Sequence, residues 1–356
     1  MKKKVAIVTI VHGANYGNRL QNYALQRTIE NLGFECVTFK RNVYMNLMSS
    51  LKNQLFIPLK RTPGMKKRYK MFDDFNNKYI NFTDYILYNR KTVNKSEIYK
   101  YYAFVCGSDQ IWNPNWSTNC DKDFLTFAPI GKRISYAASF GVEKIRSEKV
   151  QEYKKYISDI DYLSVRENSG AQLVSELTGK RAEVVLDPTL LLNESDWIKL
   201  EEKPENFPES PYVLCYFLAG CCDERKKQIQ EFSYKNGLIV LEIDIKENDS
   251  SFSYSPNNFL YLINHAQHIF TDSFHCTVFS IIFHKEFDVF QRKIGVSNMS
   301  DRIVTLLKTC GIKDRIDRDS LDESPINYEL VDERILLERD HSIDFLRKSL
   351  RVNKSE

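Results

Sequence analysis

The sequence predicts an α/β protein of two doubly wound domains with a cleft between their facing sheets. The chain has 356 residues, more than one hydrophobic core usually accommodates, so two domains are expected. Apolar, β-branched segments alternate with segments of helical periodicity, which is typical of parallel sheets covered by helices. A stretch rich in proline and acidic residues, Leu200–Pro211, has the composition of a linker between the domains.

The first domain is expected over residues 1–200. Its pattern predicts the strands Val5–Val11, Phe34–Phe39, Tyr102–Cys106, Ile134–Ser139, Tyr162–Val165 and Ala182–Leu186. It also predicts the helices Tyr16–Leu32, Glu143–Ser158 and Glu167–Leu177. The segment from about 40 to 100 interrupts this alternation, and we expect an insertion with short helices there.

The second domain is expected over residues 201–330. The predicted strands are Tyr212–Leu218, Leu238–Ile243, His268–Thr271 and Phe287–Phe290. The predicted helices are Asp223–Asn236, Asn257–His265, Thr277–Phe283 and Arg302–Cys310. Residues 331–356 hold a further periodic helix, which we expect to pack back on the first domain.

Several classes of protein do not fit this sequence. No run of 18 apolar residues is present, so no transmembrane helix is predicted. The basic and then apolar start, Met1–Val11, is followed by a polar loop, and we interpret it as a buried strand rather than a signal peptide. The eight cysteines form no CxxC pair, which is typical of reduced thiols and favours a cytoplasmic location.

Positive charge is concentrated in the segment 40–70, although the net charge of the chain is only +4. The segment contains no acidic residue, and apolar residues stand between its lysines and arginines. It is therefore a solvated basic face, a site for a phosphorylated substrate, or a peripheral contact with the inner face of a membrane. Binding of nucleic acid is not expected, because the rest of the chain is not basic.

Ligands of doubly wound sheets bind beyond the carboxyl ends of the strands, so the loops there hold the candidate site residues. Asn15, Asn18 and Gln21 follow the first strand, at a helix start that attracts anions. Asp109 and Trp112 lie in a dense polar cluster after the third strand. Asp109 could take a proton from a sugar hydroxyl or only cap a turn, and Asn15 could be a simple helix cap.

Arg166 stands where a predicted strand passes into a helix. Its planar guanidinium suits a carboxylate or a phosphate, while a surface pair with Glu167 is the alternative. His265 and His268 have the spacing of metal ligands, but they are expected at a helix end and at a strand start. The two imidazoles would not share a face, so no metal site is predicted.

The most informative segment is a strand-to-helix turn in the second domain. Ser273 is suited to cap the helix, which would direct the N–H groups of Phe274 and His275 to an anion. His275 would stand at that anion, although a packed core histidine is the alternative. Arg292 and Lys293, just beyond the last strand, could add to the binding of phosphate.

Together these segments resemble the polysaccharide pyruvyl transferase family, over residues 5 to about 310. The matching pieces are Gly17–Leu25 (GNRLQNYAL), Gly107–Asn113 (GSDQIWN), Ser164–Glu167 (SVRE), Asp187–Leu192 (DPTLLL) and Thr271–Ile282 (TDSFHCTVFSII). The resemblance implies a fold like the B-type glycosyltransferases, with two Rossmann-like domains. It also implies phosphoenolpyruvate as donor, a glycan acceptor that is free or lipid-linked, and no other cofactor.

The resemblance also implies roles for particular residues. The donor site looks like the Arg166 position in the first domain together with a turn in the second, donor-side domain. That turn holds Ser273, Phe274 and His275. His275 would be the general acid or a charge stabiliser, and Asp109 the base on the acceptor side, in the first domain. No step of this chemistry needs a metal.

One position departs from the family pattern. The family usually has glycine after the histidine, and this chain has Cys276. The alternatives are therefore a nucleotide-sugar glycosyltransferase of the same fold, with Glu242 or Asp244 as the ribose carboxylate, and a glycan-binding relative without turnover.

Overall fold

The structure is a computed structural model that describes residues 2–42, 62–89, 91–205, 207–243, 253–291, 300–318, 321 and 325–352. The chain divides into two compact units. Unit 1 comprises Met1–Arg61, Asn76–Leu191 and Leu337–Glu356, and unit 2 comprises Thr62–Phe75 and Leu192–Leu336. None of the described helices is both long enough and apolar enough to cross a membrane.

In the described part of the chain, unit 1 is built around seven parallel strands. They are β1 (Lys4–Val8), β2 (Glu35–Asn42), β3 (Phe82–Tyr88), β4 (Ala103–Cys106), β5 (Arg133–Ala138), β6 (Tyr162–Val165) and β7 (Glu183–Val184). Their order in the sheet is β3-β2-β1-β4-β5-β6-β7. The winding therefore changes direction between β1 and β4, and the loops that leave these two strands meet at this switch point.

Helices connect the strands of unit 1 and cover its sheet. They are α1 (Tyr16–Asn31), the last four residues of α2 (Pro63–Tyr79), whose first thirteen residues belong to unit 2, α3 (Lys95–Ile98), α4 (Ser147–Ser158) and α5 (Asn168–Thr178). Short 3-10 helices lie at Asp121–Phe124 and Pro188–Leu191. The last four residues of β1 are fully buried. Such burial is expected for a central parallel strand, because helices cover both of its faces.

Unit 2 contains four described parallel strands. They are β8 (Tyr212–Tyr216), β9 (Ile239–Glu242), β10 (His268–Thr271) and β11 (Phe287–Val289), in the order β11-β10-β8-β9. Its helices are α6 (Glu194–Ile198), α7 (Asp223–Lys235), α8 (Pro256–Asn264), α9 (Phe274–Ile282) and α10 (Ser300–Cys310), with a 3-10 helix at Lys313–Arg315. The switch point of this unit lies between β8 and β10.

The final helix, α11 (Tyr328–Ser349), begins in unit 2 and ends in unit 1. Within unit 1, Ser342 Oγ accepts a hydrogen bond of 2.9 Å from the backbone N–H of Leu186. Arg339 Nε donates to the carbonyl of Leu190 over 2.7 Å. These contacts attach the helix directly beside the loop that follows β7.

The segment between β2 and β4 differs from the predicted insertion of short helices. It contains α2, which is 17 residues long, and β3, which pairs with β2 at the edge of the sheet. The sequence FTDYILY of β3 alternates irregularly between buried and exposed positions, so its apolar pattern is weak. Residues 43–61, which include most of the basic segment 40–70, lie outside the described residues.

Candidate functional site

Gln21 connects the two loops at the switch point of unit 1. Its side-chain Nε2 donates to Thr9 Oγ1 over 2.9 Å, and its Oε1 accepts from the N–H of Ser108 over 3.1 Å. Asn15 caps α1 by accepting from the N–H of Asn18 over 3.1 Å. Asn18 is buried, and its Oδ1 has no hydrogen-bond partner among the described residues. A polar atom in this position is suited to a ligand hydroxyl.

The loop after β4 is shaped by backbone conformations that few residues adopt. Gly107 has φ +124°, and a Cβ at this position would lie 2.0 Å from the carbonyl oxygen of Tyr136. Asp109 has φ +59°, in the left-handed region. Its carbonyl accepts from the N–H of Ile111 and of Ser139, over 2.8 and 2.9 Å. The loop thus holds the Asp109 side chain at the carboxyl end of the sheet.

Arg166, directly after β6, lies between two carboxylates. Its two terminal nitrogens donate to Asp187 Oδ2 over 2.7 Å and to Asp109 Oδ1 over 3.2 Å. Burial disfavours the charged guanidinium, but Asp187, Asp109 and Glu167 outweigh that effect and raise the pKa of Arg166. With two carboxylates to one guanidinium, the cluster suits the acceptance of a proton better than the binding of an anion. The contact with Arg166 holds the Asp109 side chain in place at the carboxyl end of the sheet.

Asp187 is a central residue of this cluster to which the sequence reasoning assigned no role. Besides Arg166, it accepts from Ser108 Oγ over 2.9 Å and from Thr189, whose N–H and Oγ1 lie 3.1 and 2.7 Å from Oδ1. It is 1% exposed. In the sequence, Asp187 stands before a proline just after a strand, in the motif DPTLLL. An aspartate in this position more often belongs to a turn, so the motif alone did not indicate a role in the site.

Trp112, which was predicted to bind substrate, is a residue of the hydrophobic core. Its side chain is fully buried, stacked on Phe124 at 5.4 Å and tilted against Phe140 at 5.3 Å between ring centroids. Its indole N–H donates to the carbonyl of Asp123 over 3.1 Å. The ring faces are covered by other aromatic rings, so Trp112 supports the Asp109 loop by packing and does not offer a surface for a sugar.

In unit 2, Asp272 connects the loops at the switch point. Its two carboxylate oxygens accept from the N–H of Leu218 over 2.6 Å and from the N–H of Ala219 over 2.9 Å. Ser273 caps α9, since its Oγ accepts from the N–H of Cys276 over 3.5 Å. The strand β10 therefore passes into α9 through a turn that is fixed from both sides.

His275 and Phe274 form the first turn of α9. Both side chains are buried, at 7% and 6% exposure. The guanidinium of Arg302, on α10, lies 5.8 Å from the centre of the Phe274 ring. A buried arginine beside a helix start adds positive charge where the helix dipole already favours an anion.

Arg302 was not among the residues predicted for the site. The sequence feature that could have indicated it is its position four residues before Leu306, which places Arg302 on the buried, apolar side of α10. Arg292 and Lys293, which were predicted to add to the binding of phosphate, lie outside the described residues.

His268 contacts the buried ion pair of Asp288 and Arg318. Its Nε2 lies 2.8 Å from Asp288 Oδ2, and Arg318 donates to both oxygens of the same carboxylate over 2.5 and 3.0 Å. Burial would raise the pKa of Asp288, but His268 and Arg318 outweigh it and lower that pKa. His265, the second histidine of the metal-like spacing, lies at the end of α8, with its Nε2 3.7 Å from Glu201.

Cys276, the departure from the family pattern, is fully buried in α9. Burial and the nearby Asp272 raise the pKa of its thiol to about 12, although a contact with Thr271 opposes this. The thiolate is the reactive form of cysteine. We therefore expect Cys276 to escape labelling when native protein is treated briefly with iodoacetamide at pH 8 and its peptides are analysed by mass spectrometry.

Unfolded protein provides the control, because Cys276 should then be labelled like the other cysteines. Rapid, stoichiometric labelling of Cys276 in the native protein would contradict its burial. An inert thiol would mean that this residue packs the interior of unit 2 and does not take part in chemistry.

The structure thus brings two sets of predicted residues together, each within one unit. Unit 1 gathers residues from the loops after β1, β4 and β6, namely Asn15, Asn18, Gln21, Asp109 and Arg166. Unit 2 gathers Ser273, Phe274 and His275 at one helix start. The first set can bind hydroxyl groups and accept a proton, and the second can bind an anion.

Comparison with known proteins places the chain in a family. The family model described as polysaccharide pyruvyl transferase matches residues 15–290. No curated protein matches the chain.

Two solved structures share its fold at 11% identity. The S. aureus MnaA–UDP co-structure has a TM-score of 0.51 and covers 100% of this chain and 99% of that one. A putative UDP-N-acetylglucosamine 2-epimerase from Listeria monocytogenes has a TM-score of 0.52 and covers 97% and 90%. The predicted fold class, two Rossmann-like units as in the B-type glycosyltransferases, is confirmed.

Proposed function

The chain belongs to the polysaccharide pyruvyl transferase family, and from this premise we propose that it moves the pyruvyl group of phosphoenolpyruvate onto a glycan. The acceptor is a polysaccharide or its lipid-linked precursor, and phosphate is released. The observation that carries the proposal is the position of Asp109. A buried carboxylate held by Arg166 at the switch point of unit 1 is suited to remove the proton of a sugar hydroxyl.

The reaction balances with two hydroxyl groups of the acceptor. One hydroxyl oxygen bonds to the central carbon of the donor, while the methylene carbon gains a proton and becomes methyl. The bond from the central carbon to the phosphate oxygen breaks, and the second hydroxyl oxygen closes the ketal ring. The acceptor loses two hydroxyl protons. One balances the proton that the methyl group gains, and the other leaves with phosphate. No oxidant, reductant or metal is required.

We assign the donor to the start of α9. Phosphoenolpyruvate carries a carboxylate and a phosphate, and a helix start next to the Arg302 guanidinium favours such anions. His275, in the first turn of this helix, would donate the proton or stabilise the developing charge. Binding of the donor by Arg166, and by Arg292 and Lys293, stays a prediction.

A nucleotide-sugar-dependent glycosyltransferase is the second candidate. The observation in its favour is that MnaA, which has the same fold, was solved with UDP. Glu242 ends β9 and is exposed, whereas Asp244 lies outside the described residues. A glycan-binding protein without turnover is the third candidate, and donor binding without release of phosphate would support it.

A membrane contact through the segment 40–70 is a further part of the proposal. The cations of this segment would bring a cytoplasmic enzyme to an anionic membrane and hence to a lipid-linked acceptor. Lys66, Lys67 and Lys70 of this segment are exposed on α2, whereas Arg68 is buried and is not available to a membrane. Sedimentation with anionic liposomes tests the contact, and binding that is unchanged when Lys66, Lys67 and Lys70 are replaced by Glu would rule it out.

The donor is tested by thermal denaturation with phosphoenolpyruvate, UDP-sugars, GDP-sugars and inorganic phosphate. A ligand that binds only the folded protein stabilises it by about 2.7 kcal/mol at 100 times its dissociation constant. We expect stabilisation by phosphoenolpyruvate, and its loss in His275→Asn. The matched control, His265→Asn, changes an exposed histidine of the same unit and should behave as wild type.

Two outcomes separate the candidates. Stabilisation by phosphoenolpyruvate, with release of phosphate when a glycan acceptor is added, would support pyruvyl transfer. Stabilisation by a nucleotide-sugar alone would show that the donor is not phosphoenolpyruvate and would favour the second candidate.

A further inference from the structure

Unit 1 contains an open cavity of about 640 Å³ that the proposed reaction does not use. Its walls are formed by Asn89 and by residues between 91 and 99, after β3, and by residues between 121 and 129, before β5. Cavities of about 300–1,000 Å³ are typical of small-molecule sites. None of the predicted catalytic or donor residues lines it.

The lining of the cavity carries a net positive charge. It contains three lysines, Lys91, Lys95 and Lys122, and one acidic residue, Asp121. Lys122 is buried, with its Nζ 2.7 Å from the carbonyl oxygen of Asn89 and 3.5 Å from Asp121. The acid is thereby offset. Lys91 Nζ lies 4.1 Å from the centre of the Tyr88 ring, and neither Lys91 nor Lys95 forms an ion pair with another described residue.

The remaining lining is aromatic and aliphatic. Tyr99 is 71% exposed, and rings that are open to solvent can stack on the apolar face of a sugar. Phe127 is held rigidly, since its ring packs edge-on against Phe39 at 5.9 Å and Phe104 at 5.5 Å between centroids. A fixed apolar floor with cations and hydroxyls around it suits a sugar that carries an anionic group.

The cavity and the Asp109 loop are supported by the same buried ion pair. Arg41 pairs with Asp123 and donates to Asn89 Oδ1 over 2.8 Å, and Asn89 lines the cavity. The carbonyl of Asp123 accepts from the indole N–H of Trp112 in the Asp109 loop. Both features therefore belong to one rigid part of unit 1.

We propose that this cavity binds a sugar residue that bears a carboxylate, and that it holds an already modified part of a polymeric acceptor. This inference rests on the proposed function, since a pyruvate ketal leaves one carboxylate on each modified sugar. Two lysines without ion pairs would recognise the carboxylate, and Tyr99 would contact the sugar ring. The enzyme would then bind a partly modified glycan more tightly than an unmodified one.

The test is titration calorimetry on the full chain with a methyl hexoside that carries a 4,6-linked pyruvate ketal. Its methyl ester and the unmodified methyl hexoside provide neutral probes of nearly the same shape. The variant Lys91→Gln/Lys95→Gln should bind the ketal about tenfold more weakly, as expected for the loss of two exposed ion pairs. Tyr99→Ala should weaken the binding of the ketal and of its methyl ester by the same factor.

The matched control is Lys154→Gln/Lys155→Gln, which changes two exposed lysines of α4 in the same unit. It should bind the ketal like wild type. Equal binding of ketal and ester, or full affinity in the Lys91→Gln/Lys95→Gln variant, would overturn the proposal. Displacement of the ketal by UDP would do the same, by assigning the cavity to a nucleotide.

This experiment does not depend on turnover. The protein could bind the ketal through Lys91 and Lys95 and yet release no phosphate from phosphoenolpyruvate. That result would support the cavity as a glycan site and contradict the proposed donor. Turnover without such binding would keep the reaction and reject the cavity.

Discussion

Asp109→Asn is expected to lower turnover by about two to four powers of ten, the usual contribution of a general base. Asparagine has the same shape and keeps an oxygen for Arg166, but it cannot take a proton from a sugar hydroxyl. Release of phosphate should be measured at saturating phosphoenolpyruvate and acceptor, so that kcat is separated from binding. Stabilisation by phosphoenolpyruvate in thermal denaturation should persist, because the donor is assigned to unit 2.

The matched control for this variant is Asp84→Asn, which changes an exposed aspartate on β3 of the same unit. It should leave kcat and thermal stability unchanged. A rate for Asp109→Asn within tenfold of wild type would show that Asp109 only shapes the turn, the alternative that the sequence left open. Left-handed backbone at this residue is no obstacle, because asparagine tolerates that conformation as well as aspartate does.

Asp187→Ala is expected to destabilise unit 1 by about 3–5 kcal/mol, as the removal of one partner from a buried ion pair usually does. The change leaves Arg166 with one carboxylate fewer and removes the acceptor for Ser108 and Thr189. Urea unfolding should be combined with hydrogen exchange of the β4–β6 amides, because two units can unfold separately.

Asp187→Asn separates charge from shape in the same position. It keeps an acceptor oxygen for Thr189 but removes the charge beside Arg166, so its loss of stability should be smaller than that of the alanine variant. If the alanine variant unfolded at the urea concentration of wild type, the ion-pair cluster would contribute nothing to the stability of unit 1.

The order of strands and helices could largely be predicted from the sequence, because buried parallel strands such as β6 and β10 are short, apolar and bounded by polar turns. The edge strand β3 and the long helix α2 could not, since both have mixed faces and lie beside a strongly basic segment. Sequence periodicity also cannot show that residues 62–75 belong to unit 2 while residues 76–79 of the same helix belong to unit 1.

The candidate site could be predicted where polar residues follow strands, as with Asp109, Arg166 and His275. The role of Asp187 could not, because it depends on contacts with residues 21 and 79 positions away in the chain. Trp112 was assigned to the ligand because it stands in a polar motif, but neighbouring residues along a tight turn point in different directions. Its burial follows from Phe124 and Phe140, which no local pattern connects to it.

The carboxylate of Asp272 has a consequence for the binding of phosphate by unit 2. In dinucleotide-binding domains, the first strand-to-helix turn presents its backbone amides to a pyrophosphate. Here that turn follows β8, and the amides of Leu218 and Ala219 are already bound to Asp272. A tethered carboxylate competes at high effective concentration, so we expect a phosphate to bind these two amides only if it displaces Asp272.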